Sequence, residues 1–164
     1  MSIRTFATFH VKSAIEFMLV NGQWLMCDDG VIRPIVLGLV RTADAQMVEV
    51  PLLLDAGADR TVFSAFFLEL LLPLRSTAID EIRLAGVGGQ VDSITVDTVL
   101  GFVRDDGRRV SVRGTFGVFT EGESAEMSVL GRDVTNNFSV IYDYLNSTIA
   151  LLAQPHYYEI KRAS

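Results

Sequence analysis

Val48 to Ser64 reads VEVPLLLDAGADRTVFS, and this stretch decides the fold. Leu52, Leu53 and Leu54 form a continuous apolar run of the kind that makes a buried strand, and the run delivers Asp55 directly into a turn containing Gly57. An ionised carboxylate buried without partners is strongly unfavourable, so Asp55 must be solvated, paired or used chemically. From the tripeptide alone, an Asp that ends a strand and caps the following turn is the simpler reading. Its neighbours supply a second one.

The loop Asp55-Ala56-Gly57-Ala58-Asp59, followed by Arg60-Thr61-Val62-Phe63, resembles the active-site loop of retropepsin-like aspartic proteases. There an apolar strand leads into Asp-Thr/Ser-Gly-Ala-Asp and then Thr-Val. Two further segments appear in the family's order. Gly86-Val87-Gly88-Gly89-Gln90-Val91 is similar to its glycine-rich flap tip, and Val129-Leu130-Gly131-Arg132-Asp133 is similar to its apolar-Gly-Arg-Asp/Asn segment. The resemblance covers roughly Arg33 to Leu152. It departs at Ala56, where the family carries a hydroxyl residue.

Outward from this stretch, the 164 residues fit one domain, and a 49% hydrophobic composition is enough for a conventional core. We divide the chain into an N-terminal extension with a hairpin (1–30), a retropepsin-like core (31–152) and a C-terminal tail (153–164). The formal net charge of -6 argues against a nucleic-acid or anionic-membrane surface, since the basic residues form no cluster beyond pairs such as Arg108-Arg109. Small molecules or proteins are the expected partners. Cys27 is the sole cysteine, which precludes an intrachain disulfide, and it reads as a small buried hydrophobe. Arg4, His10, Lys12 and Glu16 interrupt any secretory apolar region, and the most apolar segment, Val62 to Leu74, contains Glu69 and falls short of the roughly 20 residues a bilayer requires. The expectation is a soluble, cytoplasmic protein.

The local patterns describe an all-β chain. Phe17 to Val20 and Gln23 to Met26 flank Asn21-Gly22, the dipeptide best suited to a type I′ turn, and predict a hairpin. Asp28-Asp29-Gly30 is a turn whose carboxylates read as solvated rather than metal-binding. Ile35 to Arg41 and Met47 to Leu54 are strands, with Pro34 and Pro51 arguing that neither end is a continuous central ladder. Val62 to Leu72 predicts a short buried helix ending at Pro73, with Phe63, Phe66 and Phe67 as core. A strand around Ile82 to Leu84 enters the Gly86 to Gly89 cluster, which suits either a mobile covering loop or a plain hairpin turn. Ile94, Val96, Leu100 and Phe102 share one face, Asp105-Asp106-Gly107 turns the chain, and Val110, Val112, Phe116 and Val118 share a face on the return. After a polar loop at Glu121 to Ser124, a short strand at Ser128 to Leu130, a short helix within Gly131 to Asn137 and a closing hairpin, Phe138 to Leu152, complete the pattern. Together with the resemblance this implies a closed retropepsin-like β-barrel with one or two short helices.

No second Asp-x-Gly ends an apolar strand: Asp29-Gly30 and Asp106-Gly107 sit in polar turns. Aspartic protease chemistry needs two carboxylates that share one proton, so the resemblance implies a two-fold homodimer in which two copies of Asp55 face each other across a bound water. No metal or organic cofactor is required, and His10 and His156 have no companion motif. By the same resemblance the loop residues Ala56, Gly57 and Ala58 shape the site, and Gly57 admits the substrate backbone. Asp59 hydrogen-bonds that backbone while pairing with Arg132, and Arg60 occupies a subsite that disfavours a basic side chain. Gly86, Val87, Gly88 and Gly89 cover an extended peptide. The implied activity is aspartic endopeptidase. Ala56 supports an alternative, a weak or inactive module that binds peptides or only dimerises.

Overall fold

The computed structural model describes residues 19–77, 84–86, 89–120 and 127–154. Eleven strands run through them: β1 (Leu19–Met26), β2 (Ile32–Arg41), β3 (Met47–Leu54), β4 (Val62–Phe63), β5 (Leu84–Gly86), β6 (Gly89–Val91), β7 (Ser93–Val103), β8 (Arg109–Phe119), β9 (Ser128–Leu130), β10 (Phe138–Asp143) and β11 (Thr148–Ala153). Two one-turn helices, α1 (Leu68–Leu71) and α2 (Arg132–Thr135), follow β4 and β9. Among the described residues no helix is long and apolar enough to cross a membrane.

Nine strands form one sheet in the order β10-β11-β1-β2-β3-β9-β4-β8-β7, and a further pairing of β2 with β7 closes six of them, β2-β3-β9-β4-β8-β7, into a barrel. The barrel is mixed, because β3 with β9 and β4 with β8 run parallel. Its longest hairpin follows from alternation. The register sets Ile94 opposite Val118, Val96 opposite Phe116, Leu100 opposite Val112 and Phe102 opposite Val110, so the two apolar faces coincide. Gly107, at φ 76°, makes the intervening turn. Inside, Val36, Val40, Leu52, Phe63, Leu100, Phe102 and Leu130 are almost wholly buried, and Phe63 meets Phe116 edge-on at 5.8 Å. Each such side chain contributes about 1.5–3 kcal/mol by leaving water.

Three expectations meet the structure differently. The predicted hairpin at Asn21-Gly22 does not form: Leu19–Met26 is one continuous strand between β11 and β2, and Gly22 pairs with both Ile149 and Val36. A Cβ on Gly22 would stand 2.5 Å from Ile149 Cγ2 and 2.7 Å from the Ile35 carbonyl, so the glycine serves close approach of neighbouring strands rather than a turn. Phe66, expected in the core, is 81% exposed, because the chain between β4 and α1 winds as a 3-10 turn that buries Phe63 and Phe67 and leaves Phe66 outside. The prolines lie within β2 and β3, each one residue before a second ladder begins. Pro34 faces only Trp24, and the β3 ladder starts at Ile35; Pro51 faces only Leu37, and the β9 ladder starts at Leu52. Each therefore has a neighbouring strand on one side only, where a missing N–H is tolerated.

The closing hairpin and the Asp28-Asp29-Gly30 turn form as expected. The Asp29 carboxylate accepts from Arg33 at 2.7 and 2.5 Å, and these bonds hold it down at about 2. The Glu121 to Ser124 loop, Ile82, and the segments containing His10 and His156 lie outside the described residues.

Candidate active site

The ladder between β3 and β9 brings the two conspicuous motifs together. Leu52, Leu53 and Leu54 pair in parallel with Ser128, Val129 and Leu130, so the chain leaves both strands at the same end of the barrel. Asp55 is the first residue beyond β3. Its N–H donates to the Leu130 carbonyl at 3.3 Å, and its own carbonyl accepts from the Ala58 N–H at 3.2 Å, which folds 55–58 into a tight turn. The Asp55 carboxylate accepts from the Gly57 N–H through Oδ1 at 2.8 Å. Among the described residues Oδ2 has no hydrogen-bond partner, and the side chain is half-buried. One oxygen is therefore oriented by the backbone while the other is free to accept or carry a proton. Ala56 and Gly57 are exposed, and Ala58 is half-buried.

The rest of the loop is bonded to the start of α2. Arg132 N–H donates to the Ala58 carbonyl at 2.9 Å, and Asp133 N–H to the Asp59 carbonyl at 3.2 Å. The Asp133 carboxylate accepts from the Thr61 N–H at 2.9 and 3.0 Å and from the Thr61 hydroxyl at 2.7 Å. That hydroxyl in turn accepts from the Gly131 N–H at 3.0 Å. Gly131 has to be glycine, since a Cβ there would lie 2.3 Å from the Arg60 carbonyl carbon and 2.8 Å from its nitrogen, both backbone atoms. These bonds fix the loop backbone from Asp55 to Thr61 without using any atom of the free carboxylate oxygen.

Asp59 and Arg132 form an ion pair whose side chains are 79% and 54% exposed. Arg60 is exposed as well, and among the described residues no carboxylate lies within ion-pairing distance of it. Of the glycine-rich segment, Gly86 and Gly89 face each other as the last pair of the β5–β6 hairpin, a two-stranded sheet of its own. Val87 and Gly88 lie outside the described residues.

Sequence reasoning gave no role to Thr61, Asp133 or Tyr142. Asp133 belongs to the Gly-Arg-Asp segment and Thr61 to the Asp55 loop, so their motif membership was the available signal. Tyr142, in β10, carried none. Its phenol is pushed above the usual tyrosine range, chiefly by burial and further by the negative charge of Asp55, which puts β10 within electrostatic reach of the loop.

No family model matches the chain. No curated protein sequence matches it either. Among solved structures it is similar to the crystal structure of a retropepsin-like aspartic protease from Rickettsia conorii, at a TM-score of 0.52 and 16% identity, over 88% of this chain and 98% of that one. At that identity the likeness is one of fold. The barrel described above is a retropepsin-like fold.

Proposed function

We propose that the chain is an aspartic endopeptidase that works as a two-fold homodimer, with one Asp55 from each copy forming the catalytic dyad. The observation that carries this reading is the state of the Asp55 carboxylate: Oδ1 held by the Gly57 N–H, Oδ2 free, at the barrel end where the Gly131 to Asp133 segment braces the loop. The Rickettsia conorii protein with this fold is described as an aspartic protease.

Two like charges in contact cannot both persist, so the dyad carries one shared proton near neutral pH. The ionised Asp55 takes a proton from a water molecule as the water oxygen attacks the scissile carbonyl carbon. The protonated Asp55 of the second copy gives its proton to the carbonyl oxygen, producing a neutral gem-diol. Proton transfer from the first carboxyl to the amide nitrogen, with return of a hydroxyl proton to the second carboxylate, breaks the C–N bond and restores the dyad. The peptide lies extended along Gly57 and Asp59, bonded through its main chain, beneath the β5–β6 hairpin acting as a flap.

Ala56 favours a second reading, a module that binds peptides or dimerises with little hydrolysis, because a methyl offers no hydrogen bond across the axis. Cleavage of a mixed peptide library, run alongside sedimentation equilibrium, separates the two. The protease reading expects self-association in the micromolar range or tighter and cleavage that disappears in Asp55→Asn. A strict monomer, or turnover unchanged in that variant, overturns it.

A further inference from the structure

We propose that Arg60 selects the substrate by charge, so that the site takes peptides with an acidic side chain near the cleaved bond and rejects those with a basic one there. The proposal rests on the protease reading of the Asp55 loop and adds the substrate class to it. Three observations lead to it. The Arg60 backbone is immobilised: Gly131 is packed against its N, C and O atoms, and the residues on either side are bonded through the Asp59 carbonyl and the Thr61 N–H to Asp133. Its side chain is nevertheless exposed, five residues beyond Asp55 on the same loop. And the neighbouring charges are already engaged, Asp59 by Arg132 and Asp133 by the Thr61 N–H and hydroxyl, while Arg60 has no carboxylate within ion-pairing distance among the described residues.

An arginine on a fixed backbone with no internal partner is a ready carboxylate receptor, because its planar fork loses little freedom on binding. It also stands out against the chain as a whole, whose net charge of -6 repels acidic peptides at long range. The selection is therefore local and short-ranged. In a two-fold dimer Arg60 occurs twice, so the acidic preference is expected on both sides of the cleaved bond.

The test uses the full chain and a peptide library in which one position at a time is fixed as Glu, Gln or Lys. Cleavage is followed by mass spectrometry, and binding of the same peptides is measured on Asp55→Asn. For the parent chain, Glu is expected over Lys by about 2- to 30-fold in kcat/KM at the selected positions, as one exposed attraction replaces one repulsion, with the difference shrinking at high salt. Arg60→Gln should abolish the preference and Arg60→Glu should reverse it. Cleavage without charge preference, or a preference unchanged in Arg60→Glu, overturns the proposal while leaving the protease reading intact. Binding whose charge preference follows residue 60, with no cleavage by the parent chain, supports charge selection and overturns hydrolysis. Neither cleavage nor binding by the folded dimer overturns both.

Discussion

Thr61 and Asp133, 72 residues apart in sequence, are joined three times: the Asp133 carboxylate accepts twice from the Thr61 N–H and once, at 2.7 Å, from its hydroxyl. Thr61 is fully buried although Asp59 and Arg60 beside it are exposed. The loop is therefore anchored at its far end by a side chain that never reaches the surface.

Thr61→Val keeps the branched shape and removes the hydroxyl, leaving the buried Gly131 N–H without an acceptor. The expected cost is about 1–3 kcal/mol in urea unfolding, and Thr61→Ser, which keeps the oxygen, should cost distinctly less. Equal losses for the two variants would assign the effect to packing instead of the hydrogen bonds.

The Asp59–Arg132 pair is exposed on both sides, and exposed pairs contribute little. Arg132→Leu should therefore lower the stability of the dilute chain by less than about 1 kcal/mol. A loss of about 3–5 kcal/mol, measured by the same denaturation, would mean that another surface buries the pair.

Ala56→Thr tests the proposed axis. Two hydroxyls, each donating to the opposite loop, should add about 1–3 kcal/mol in total, which is about 5- to 150-fold in dimer affinity. Peptidase activity at saturating protein should rise with it. An unchanged dissociation constant would place Ala56 away from the axis and remove the basis for the dyad.

The phenol of Tyr142 offers a pH-dependent readout of Asp55. Its folded value is raised, first by burial and then by the Asp55 charge, so the neutral form is favoured in the folded chain. That contribution is fully present below the ordinary tyrosine value near 10 and is lost as pH climbs through the raised folded value. Asp55→Asn should move the phenolate absorbance transition of Tyr142 downward, and Tyr142→Phe identifies the signal. A transition that does not move would show that burial alone raises it.

Much of the barrel was legible because its strands announce themselves locally. The alternation through Ile94, Val96, Leu100 and Phe102 needs only a pleated, half-buried strand to explain it, and the structure buries those four residues. The apolar run before Asp55 likewise gave the strand and the turn. Asn21-Gly22 misled because a turn dipeptide reports what a segment can do alone, whereas here two neighbouring strands claim the segment and use Gly22 for proximity. Phe66 misled because a run of aromatics does not reveal the pitch of a 3-10 turn. In the site, the residues carried by motifs could be named from sequence, but the Thr61–Asp133 link and the approach of Tyr142 to Asp55 depend on chain crossings that leave no local pattern.

The parallel pairing of β3 with β9 also bears on how the protein is made. The Asp55 loop is synthesised early, yet the carbonyl that receives the Asp55 N–H belongs to Leu130 and the carboxylate that anchors Thr61 belongs to Asp133. The β2–β3 and β7–β8 hairpins can form from neighbouring sequence, but this crossing must await a distant strand, the slow kind of contact in folding. A nascent chain thus carries its aspartate on the ribosome without the frame that holds it, and acquires that frame only when the last third of the barrel emerges.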